Sequence, residues 1–307
     1  MSAEGSTKAI VAALVANAGI AVAKFVAFLL TGAASMLAES IHSVADSSNQ
    51  GLLLLGGRRG RRAPTPQHPF GHGRERYFWS FVVALVLFTL GGAFALYEGV
   101  QKLLHPHEVE SIGIAIGVLV FAIGLESFSL RTAIVESRHA KGDAGWWEFI
   151  RTSRTPELPV VLLEDIGALL GLILALSAVV LAQVTGNPDF DAYGTLSIGV
   201  LLLVIAVFLM IEMKGLLIGE TARPRDEQAV LQAVSSTSKV RSVLHMRTQH
   251  LGPDDVLVGM KIELEPSLDV AGVATAINET EDAIRRALPA ATIVYVEPDV
   301  RTPGRVD

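Results

Sequence analysis

The sequence predicts a membrane-embedded bundle of six α-helices followed by a small cytoplasmic α+β domain. The chain of 307 residues is 50% hydrophobic and only 18% charged, with a mean hydropathy of +0.46. A soluble globular chain is about a quarter charged. The apolar residues form long runs, and about 20 such residues can cross the hydrocarbon core of a bilayer as a helix. After residue 219 the elements become shorter and amphipathic, so we divide the chain into residues 1–219 and 220–307.

Six apolar runs are long enough to be spans. They cover residues 8–30, 34–57, 77–100, 112–134, 159–184 and 192–211. The second has a polar first half, but only "TGAAS" separates it from the first, so it has to return across the bilayer. The first run lacks a small-residue cleavage site and is long for a signal peptide, so we expect it to remain as a span.

The basic residues of the loops predict the orientation in the membrane. The loops after the second and fourth spans are rich in Lys and Arg, whereas the three alternate loops contain only Lys102. Basic loops remain on the cytoplasmic side, so both termini are expected there, with the chain in the cell (inner) membrane; an organelle membrane stays open. The formal charge of −6 gives no reason to expect nucleic-acid binding, and the lack of cysteine excludes disulfides and thiolate metal sites.

The C-terminal region predicts the order αββαβ. Helical periodicity covers residues 223–236 and 269–288, and strand patterns cover 242–252, 255–265 and 291–298. In the second strand Val256, Val258, Met260, Ile262 and Leu264 alternate with other residues, which is the period of a half-buried strand. Helices on one face of such a sheet form a two-layer sandwich, and a symmetric partner would help so small a domain to bury its surface.

Titratable groups lie inside two of the predicted spans. On the second, Glu39, His42 and Asp46 share one helix face, because residues three or four apart are neighbours on a helix. On the fifth, Glu164 and Asp165 interrupt an apolar helix, and adjacent positions diverge by about 100°. A charge at the bilayer centre costs about 2.5–3.5 kcal/mol, so these groups should face the bundle interior, water or a cation.

An imidazole together with carboxylates suits Zn²⁺ and other divalent transition metals. The candidate ligands are therefore His42, Asp46, Asp165 and Glu164, with Glu39 as a further candidate. A buried structural polar network is the alternative for the group, and a position near the outer interface is the alternative for Glu39.

Three features in sequence order resemble the cation diffusion facilitator family over nearly the whole chain. His42 and Asp46 form an H-x-x-x-D motif on the second span, "HPFGHGRERYFW" leads into the third span, and an αββαβ domain follows the sixth. The resemblance implies a homodimeric exporter of divalent metal, most often Zn²⁺, driven by proton antiport and lacking a resident cofactor. Asn17 and Lys24 on the first span also recur in that family, where packing or polarising a cavity is the expected role.

The chain departs from the family pattern on the fifth span. Many zinc members carry a second H-x-x-x-D there, and Asp165 matches its aspartate, but Val161 stands where the histidine is expected. Glu164 is the candidate replacement. One nitrogen among several oxygens makes a harder site, so Fe²⁺, Mn²⁺, Co²⁺ and Ni²⁺ remain alternatives.

A second metal site is a candidate in the loop before the third span. His68 and His72 are four residues apart, and relatives can bind metal in this loop, although Thr65 occupies the family's acidic position. The alternative is a motif that only shapes the entry to the helix.

Other classes of function fit the sequence less well. A metallohydrolase would need a motif such as H-E-x-x-H, which is missing from the sequence, so we do not expect an enzyme. A membrane-anchored scaffold would not need ionisable residues in two spans. A proton-coupled carrier of another solute stays open, because the same groups could relay protons.

Overall fold

The computed structural model describes residues 2–31, 34–105 and 112–301; for residues 2–5, 30, 31, 34–39, 41, 42 and 45 it describes the backbone alone. The chain forms two compact units. One comprises the described residues up to Arg58 together with Arg76–Lys214, and the other comprises Arg59–Glu75 together with the described residues from Gly215 onward.

The first unit is a bundle of long helices, as predicted. The helices are α1 (Ser2–Thr31), α2 (Ala34–Gly60), α3 (Glu75–Val86), α4 (Phe94–Leu104), α5 (Ile112–Lys141), the short α6 (Trp146–Thr152), α7 (Glu157–Thr185) and α8 (Asp189–Ile218). Five segments within the described residues are long and apolar enough to cross a membrane: Ser6–Leu29, Glu75–Leu104, Ile112–Lys141, Glu157–Thr185 and Asp189–Ile218. Helix α2 has the length of a span, 27 residues, but its polar first half lowers its hydropathy.

The third span is one continuous helix with a wide turn in its middle. Between α3 and α4, residues Leu87–Ala93 form a π-helical segment, a geometry that often occurs at functional sites. This span packs closely on α8 because glycines on both helices leave space for the partner. A β-carbon added to Gly199 would lie 2.9 Å from the backbone nitrogen of Leu96, and one added to Gly99 would lie 3.0 Å from that of Leu196.

Helices α1, α5 and α7 pack against one another. The buried face of α1 is a row of small and branched apolar residues at helical spacing: Ala9, Ala13, Ala16, Ile20 and Ala27. Small side chains let helix backbones approach closely inside a membrane, where packing rather than the hydrophobic effect holds helices together. Helix α7 is part of this packed group. Its first half is largely buried and bears the carboxylates considered below.

The second unit contains the predicted αββαβ domain. Its elements are α9 (Pro224–Ser235), β1 (Val240–Gly252), β2 (Asp255–Leu264), α10 (Val270–Ala287) and β3 (Ile293–Pro298). The sheet order is β1-β2-β3, with β1 antiparallel and β3 parallel to the central strand. Asp269 is the N-cap of helix α10. Its side chain accepts a hydrogen bond of 2.7 Å from the backbone nitrogen of Gly272.

The alternation predicted for the central strand is observed. Val256, Val258, Met260 and Ile262 are buried, and they form one apolar cluster with residues of α9 and α10 that include Val230. The domain therefore has a core of its own, formed where both helices cover one face of the sheet.

The loop Arg59–Glu75 belongs to the same unit as this domain. Gly73 lies directly against the end of β1: a β-carbon at Gly73 would be 2.7 Å from the carbonyl oxygen of Leu251 and 2.8 Å from the Cα of Gly252. The backbones of the loop and the strand are thus in close contact, and only glycine at this position allows that contact.

Ile262→Ala is expected to destabilise the C-terminal domain by about 2–5 kcal/mol, because Ile262 is fully buried and truncation leaves a cavity. Thermal unfolding of the full chain in detergent would measure the change, with the exposed Val270→Ala as the control. A loss below 1 kcal/mol in Ile262→Ala would contradict the packing described here.

Candidate metal centre

Helix α2 turns a polar face toward the interior of the bundle. Asn49 and Gln50 are 1% and 0% exposed, Asp46 is half-buried, and Val44 on the opposite side is 56% exposed. His42 also lies on this helix, as predicted, but its side chain is outside the described part of the chain.

The remaining predicted group on α2 is Glu39, which likewise has a described backbone and no described side chain. For these two candidate ligands the helical spacing to Asp46 is therefore the only structural information, and both remain predictions.

The two carboxylates of α7 are both buried and point to different neighbours. Asp165, 1% exposed, accepts a hydrogen bond of 2.7 Å from the hydroxyl of Ser129 on α5. Glu164, 7% exposed, accepts one of 3.1 Å from the side-chain nitrogen of Asn49 on α2. Val161, at the position without the expected histidine, is fully buried. The first residues of α7 are buried around the whole helix. Glu164 and Asp165, whose directions differ by about 100°, can therefore both contact other helices.

Several polar atoms of this region are buried and have no hydrogen-bond partner among the residues that the structure describes. Among the described side chains, none donates a hydrogen bond to Glu164 Oε2 or Asn49 Oδ1. The amide of Gln50 lies close to Glu164, but its nitrogen is not within hydrogen-bonding geometry of an acceptor. Buried hydrogen-bond acceptors in native proteins nearly always have a donor. Glu164 Oε2 and Asn49 Oδ1, which belong to two side chains in contact, are therefore candidates for binding something other than the described side chains.

Glu126 on α5 is a buried carboxylate that the sequence reasoning missed. It is 2% exposed, and it interacts electrostatically with Asp165, Glu164, Asp46 and the ammonium group of Lys24. The sequence shows only the helical spacing of Ala122, Glu126, Ser129, Ala133 and Ser137; the structure shows that this whole row is buried.

Four carboxyl groups from three helices therefore lie near one another: Asp46 from α2, Glu126 from α5, and Glu164 and Asp165 from α7. Among the side chains that the structure describes, no three His, Asp or Glu residues lie close enough together to hold a metal ion. The region is thus a concentration of buried and half-buried carboxyl groups, and the described groups do not form a closed ligand shell.

A buried ion pair connects the start of the third span to the start of α7. Arg76 donates from Nε and Nη2 to the two carboxylate oxygens of Glu157, at 2.5 and 2.8 Å, and both side chains are about 95% buried. The hydroxyl of Tyr77 donates to the carbonyl of Arg154 beside this pair. Arg76 directly precedes the predicted third span, at the end of a basic loop, and the sequence alone gave no indication of its pairing with Glu157.

The two histidines of the loop Arg59–Glu75 lie together. The imidazole rings of His68 and His72 are 4.7 Å apart between centroids. The backbones of Thr65 and His68 hydrogen-bond in both directions, which holds the turn before them. The structure thus brings this predicted pair together, and metal binding by it remains a prediction.

Comparison with known proteins identifies the family. Residues 10–218 match the family model described as "Cation efflux transmembrane domain". The chain belongs to the cation efflux family. Residues 222–299 of this cation efflux protein match a second model, "Cation efflux protein, cytoplasmic domain". The resemblance stated from the sequence is therefore confirmed, and with it a multi-pass membrane protein.

Curated relatives of this cation efflux protein are similar over most of the chain. The "Proton-coupled zinc antiporter SLC30A9, mitochondrial" of Mus musculus is 34% identical over 282 residues, covering 91% of this chain and 49% of the relative. The "Metal tolerance protein C4" of Arabidopsis thaliana is 32% identical over 250 residues, covering 81% of this chain and 55% of the relative. The chain thus spans about half the length of these curated relatives. A solved structure of MamM-CTD matches 25% of this chain and 95% of its own, at 20% identity and a TM-score of 0.24.

Proposed function

We propose that this cation efflux protein exports divalent metal ions across a membrane in exchange for protons, with Zn²⁺ as the principal cargo. The observation that carries the proposal is the group of buried and half-buried carboxyl groups from α2, α5 and α7, which lies within helices of membrane-spanning length. The group includes Glu164 Oε2, a buried oxygen with no donor among the described side chains. A cation is the ligand that such a group attracts. The names of the relatives from mouse and Arabidopsis support metal as the cargo and protons as the counter-ion.

The proposed cargo ligands are His42, Asp46 and Asp165, with Glu164 and Glu39 as further candidates. Metal ions and protons compete for the lone pairs of such groups, so binding of one favours release of the other. An unperturbed imidazole titrates at about pH 6.5, so a histidine ligand would couple metal binding to protons in the range of a modest proton gradient. Exchange then requires only that the site faces each side of the membrane in turn.

A second cargo class is favoured by the same region. The described polar groups around the site offer oxygen atoms, and Val161 offers none. Oxygen-rich sites suit harder cations, so Fe²⁺, Mn²⁺, Co²⁺ and Ni²⁺ are the alternatives to Zn²⁺. A proton-coupled carrier of a non-metal solute is the further alternative, and it predicts no metal dependence at all.

We further propose that the protein is a homodimer with both termini in the cytoplasm and the division between membrane and cytoplasmic domains at residues 219–220. The domain of residues 220–307 would associate with its copy and regulate transport, and the His68–His72 pair would be a subsidiary metal site. Truncation after residue 219 should weaken the dimer and reduce transport while leaving metal binding in the membrane domain.

Metal flux in proteoliposomes tests the function directly. We expect uptake of Zn²⁺ into vesicles that are acidic inside, accompanied by proton release and faster than in protein-free vesicles. A panel of Zn²⁺, Mn²⁺, Fe²⁺, Co²⁺ and Ni²⁺ would rank the cargo. Flux that is the same for protein-containing and empty vesicles with all five metals would reject the proposal.

His42→Asp is expected to shift the preference from Zn²⁺ toward Mn²⁺ and to move the pH of half-maximal uptake. The substitution removes the only proposed nitrogen ligand and makes the site harder and more anionic. Uptake of both metals between about pH 5.5 and 8, on either side of the imidazole's usual titration range, would measure the two effects. If the wild-type metal order and pH profile both persist, His42 is not a ligand.

A further inference from the structure

We propose that Glu126 on α5 is a cargo-binding residue, so that the metal site is formed by three helices, α2, α5 and α7. This inference rests on the proposed function and adds a ligand that the sequence motifs did not indicate. Because no three of the described carboxyl groups lie close enough together to hold an ion, this role requires the side chains to close on the ion, and the Glu126 carboxylate would then contribute an oxygen ligand beside Asp46 and Asp165.

The position of Glu126 is the first support. The residue is 2% exposed, in a helix that is apolar for most of its length. A buried carboxylate in a span costs several kcal/mol unless it is paired, and such residues usually mark an ion or proton pathway. Glu126 also lies on the buried row of α5 that contacts its neighbours, and the lipid-exposed residue Phe128 lies off that row, at 58% exposure.

The contacts of the same row place Glu126 next to Asp165. Ser129 is three residues further along, so it shares the face of α5 with Glu126. Its hydroxyl donates to Asp165 Oδ2 at 2.7 Å, and α5 packs along α7 at this level. The electrostatic neighbours of Glu126 are the proposed cargo ligands Asp165, Glu164 and Asp46.

The proposed donors on α2 and α7 reach the number that zinc needs only if Glu164 is one of them. Zinc takes four ligands in most protein sites. The side chain of Val161 offers no donor atom, and one oxygen of Glu164 already accepts a hydrogen bond of 3.1 Å from Asn49. The four are then His42, Asp46, Asp165 and the second oxygen of Glu164, with Glu39 as a further candidate. A carboxylate from α5 would add an oxygen donor to this set and make it independent of Glu164.

The unpaired oxygens indicate that a cation belongs here. Glu164 Oε2 and Asn49 Oδ1 are buried and have no donor among the described side chains, and Lys24 is the basic residue that interacts with Glu126. A divalent ion bound here would accept the lone pairs that these two oxygens leave unused among the described residues.

An ion pair with Lys24 is the competing role for Glu126. Lys24 is 9% exposed and interacts electrostatically with Glu126, so the carboxylate could serve only to neutralise it. The two roles differ in one measurable respect: a ligand changes the coordination of the bound ion, and a structural partner of Lys24 does not.

The test uses the full-length protein in detergent, with Zn²⁺ and Co²⁺ as probes. Glu126→Gln keeps the size of the side chain and removes its charge, and it should weaken Zn²⁺ binding, measured by calorimetry, at least about tenfold. Glu126→His exchanges an oxygen for a nitrogen donor and should shift the visible absorption bands of bound Co²⁺. The matched controls are Glu136→Gln and Glu136→His, because Glu136 lies on the same helix about 15 Å away and should leave affinity and spectrum unchanged.

Each outcome is decisive. If Glu126→Gln binds Zn²⁺ as wild type does and Glu126→His leaves the Co²⁺ spectrum unchanged, Glu126 is not a ligand, whether or not the metal-free protein is destabilised. If Glu126→Gln does not fold, Glu126→His and Glu126→Asp provide the same comparison. Asp165→Ala in the same assays separates the two proposals. If Asp165→Ala loses Zn²⁺ binding and the Glu126 variants do not, only this inference is rejected. If all of these variants bind Zn²⁺ as wild type does, the proposed function is rejected as well.

Discussion

Asp165→Ala should abolish metal transport while leaving the protein folded. Asp165 is buried and accepts a hydrogen bond from Ser129. Removing it deletes a proposed metal ligand from a desolvated site, and loss of a direct ligand should cost more than the roughly 10- to 100-fold in affinity that loss of an indirect partner costs. The fold should survive, because the burial cost of the carboxylate disappears and the freed hydroxyl can bond to the backbone of the preceding turn.

Zn²⁺ flux in proteoliposomes would measure this effect, with thermal unfolding of the metal-free protein as the check on folding. Glu98→Ala is the matched control, since Glu98 is a half-exposed carboxylate whose described contact is one of 3.6 Å with Lys102 near the surface. Asp46→Ala should behave like Asp165→Ala. Near-normal flux in a folded Asp165→Ala variant would remove α7 from the proposed site.

Arg76→Ala should destabilise the membrane domain by about 3–5 kcal/mol, because it leaves the carboxylate of Glu157 buried without its partner. Arg76→Lys should recover only part of this loss, since an ammonium group cannot form the two parallel hydrogen bonds of the guanidinium group. The double variant Arg76→Leu with Glu157→Leu should be close to wild type in stability, because it removes both buried charges together.

Denaturant titration in detergent micelles would give the free energy of unfolding for each variant. Arg285→Ala is the control: its pair with Glu281 is exposed, and loss of a surface pair within one helix costs only about 0.3–0.5 kcal/mol. A double variant no more stable than Arg76→Ala would mean that the pair itself, rather than the isolated charge, determines the stability of this region.

The sequence predicts the fold, and it offers candidates for the site, for one physical reason. A charged residue in the middle of a span is conspicuous, so Asp46 and Asp165 become candidates at once, and the change of period after residue 219 predicts the sheet. Glu126 escaped notice because a single Glu followed by serines resembles the polar end of a span. Only the buried row at helical spacing distinguishes it.

Contacts between helices lie beyond what spacing along the chain can predict. The hydrogen bond from Ser129 to Asp165 and that from Asn49 to Glu164 depend on how α5 and α2 pack on α7. The partnership of Arg76 with Glu157 is of the same kind, because each residue taken alone resembles an ordinary charge at the end of a helix.

The contact between the loop and β1 makes two distant positions depend on each other. Gly73 and Gly252 touch through their backbones, and a β-carbon on either would lie 2.8 Å from the Cα of the other. Neither residue can therefore be replaced alone without moving the loop away from the strand. Over evolutionary time the two positions are expected to be conserved or to change as a pair, and a sequence that has lost one glycine should show compensation at the other.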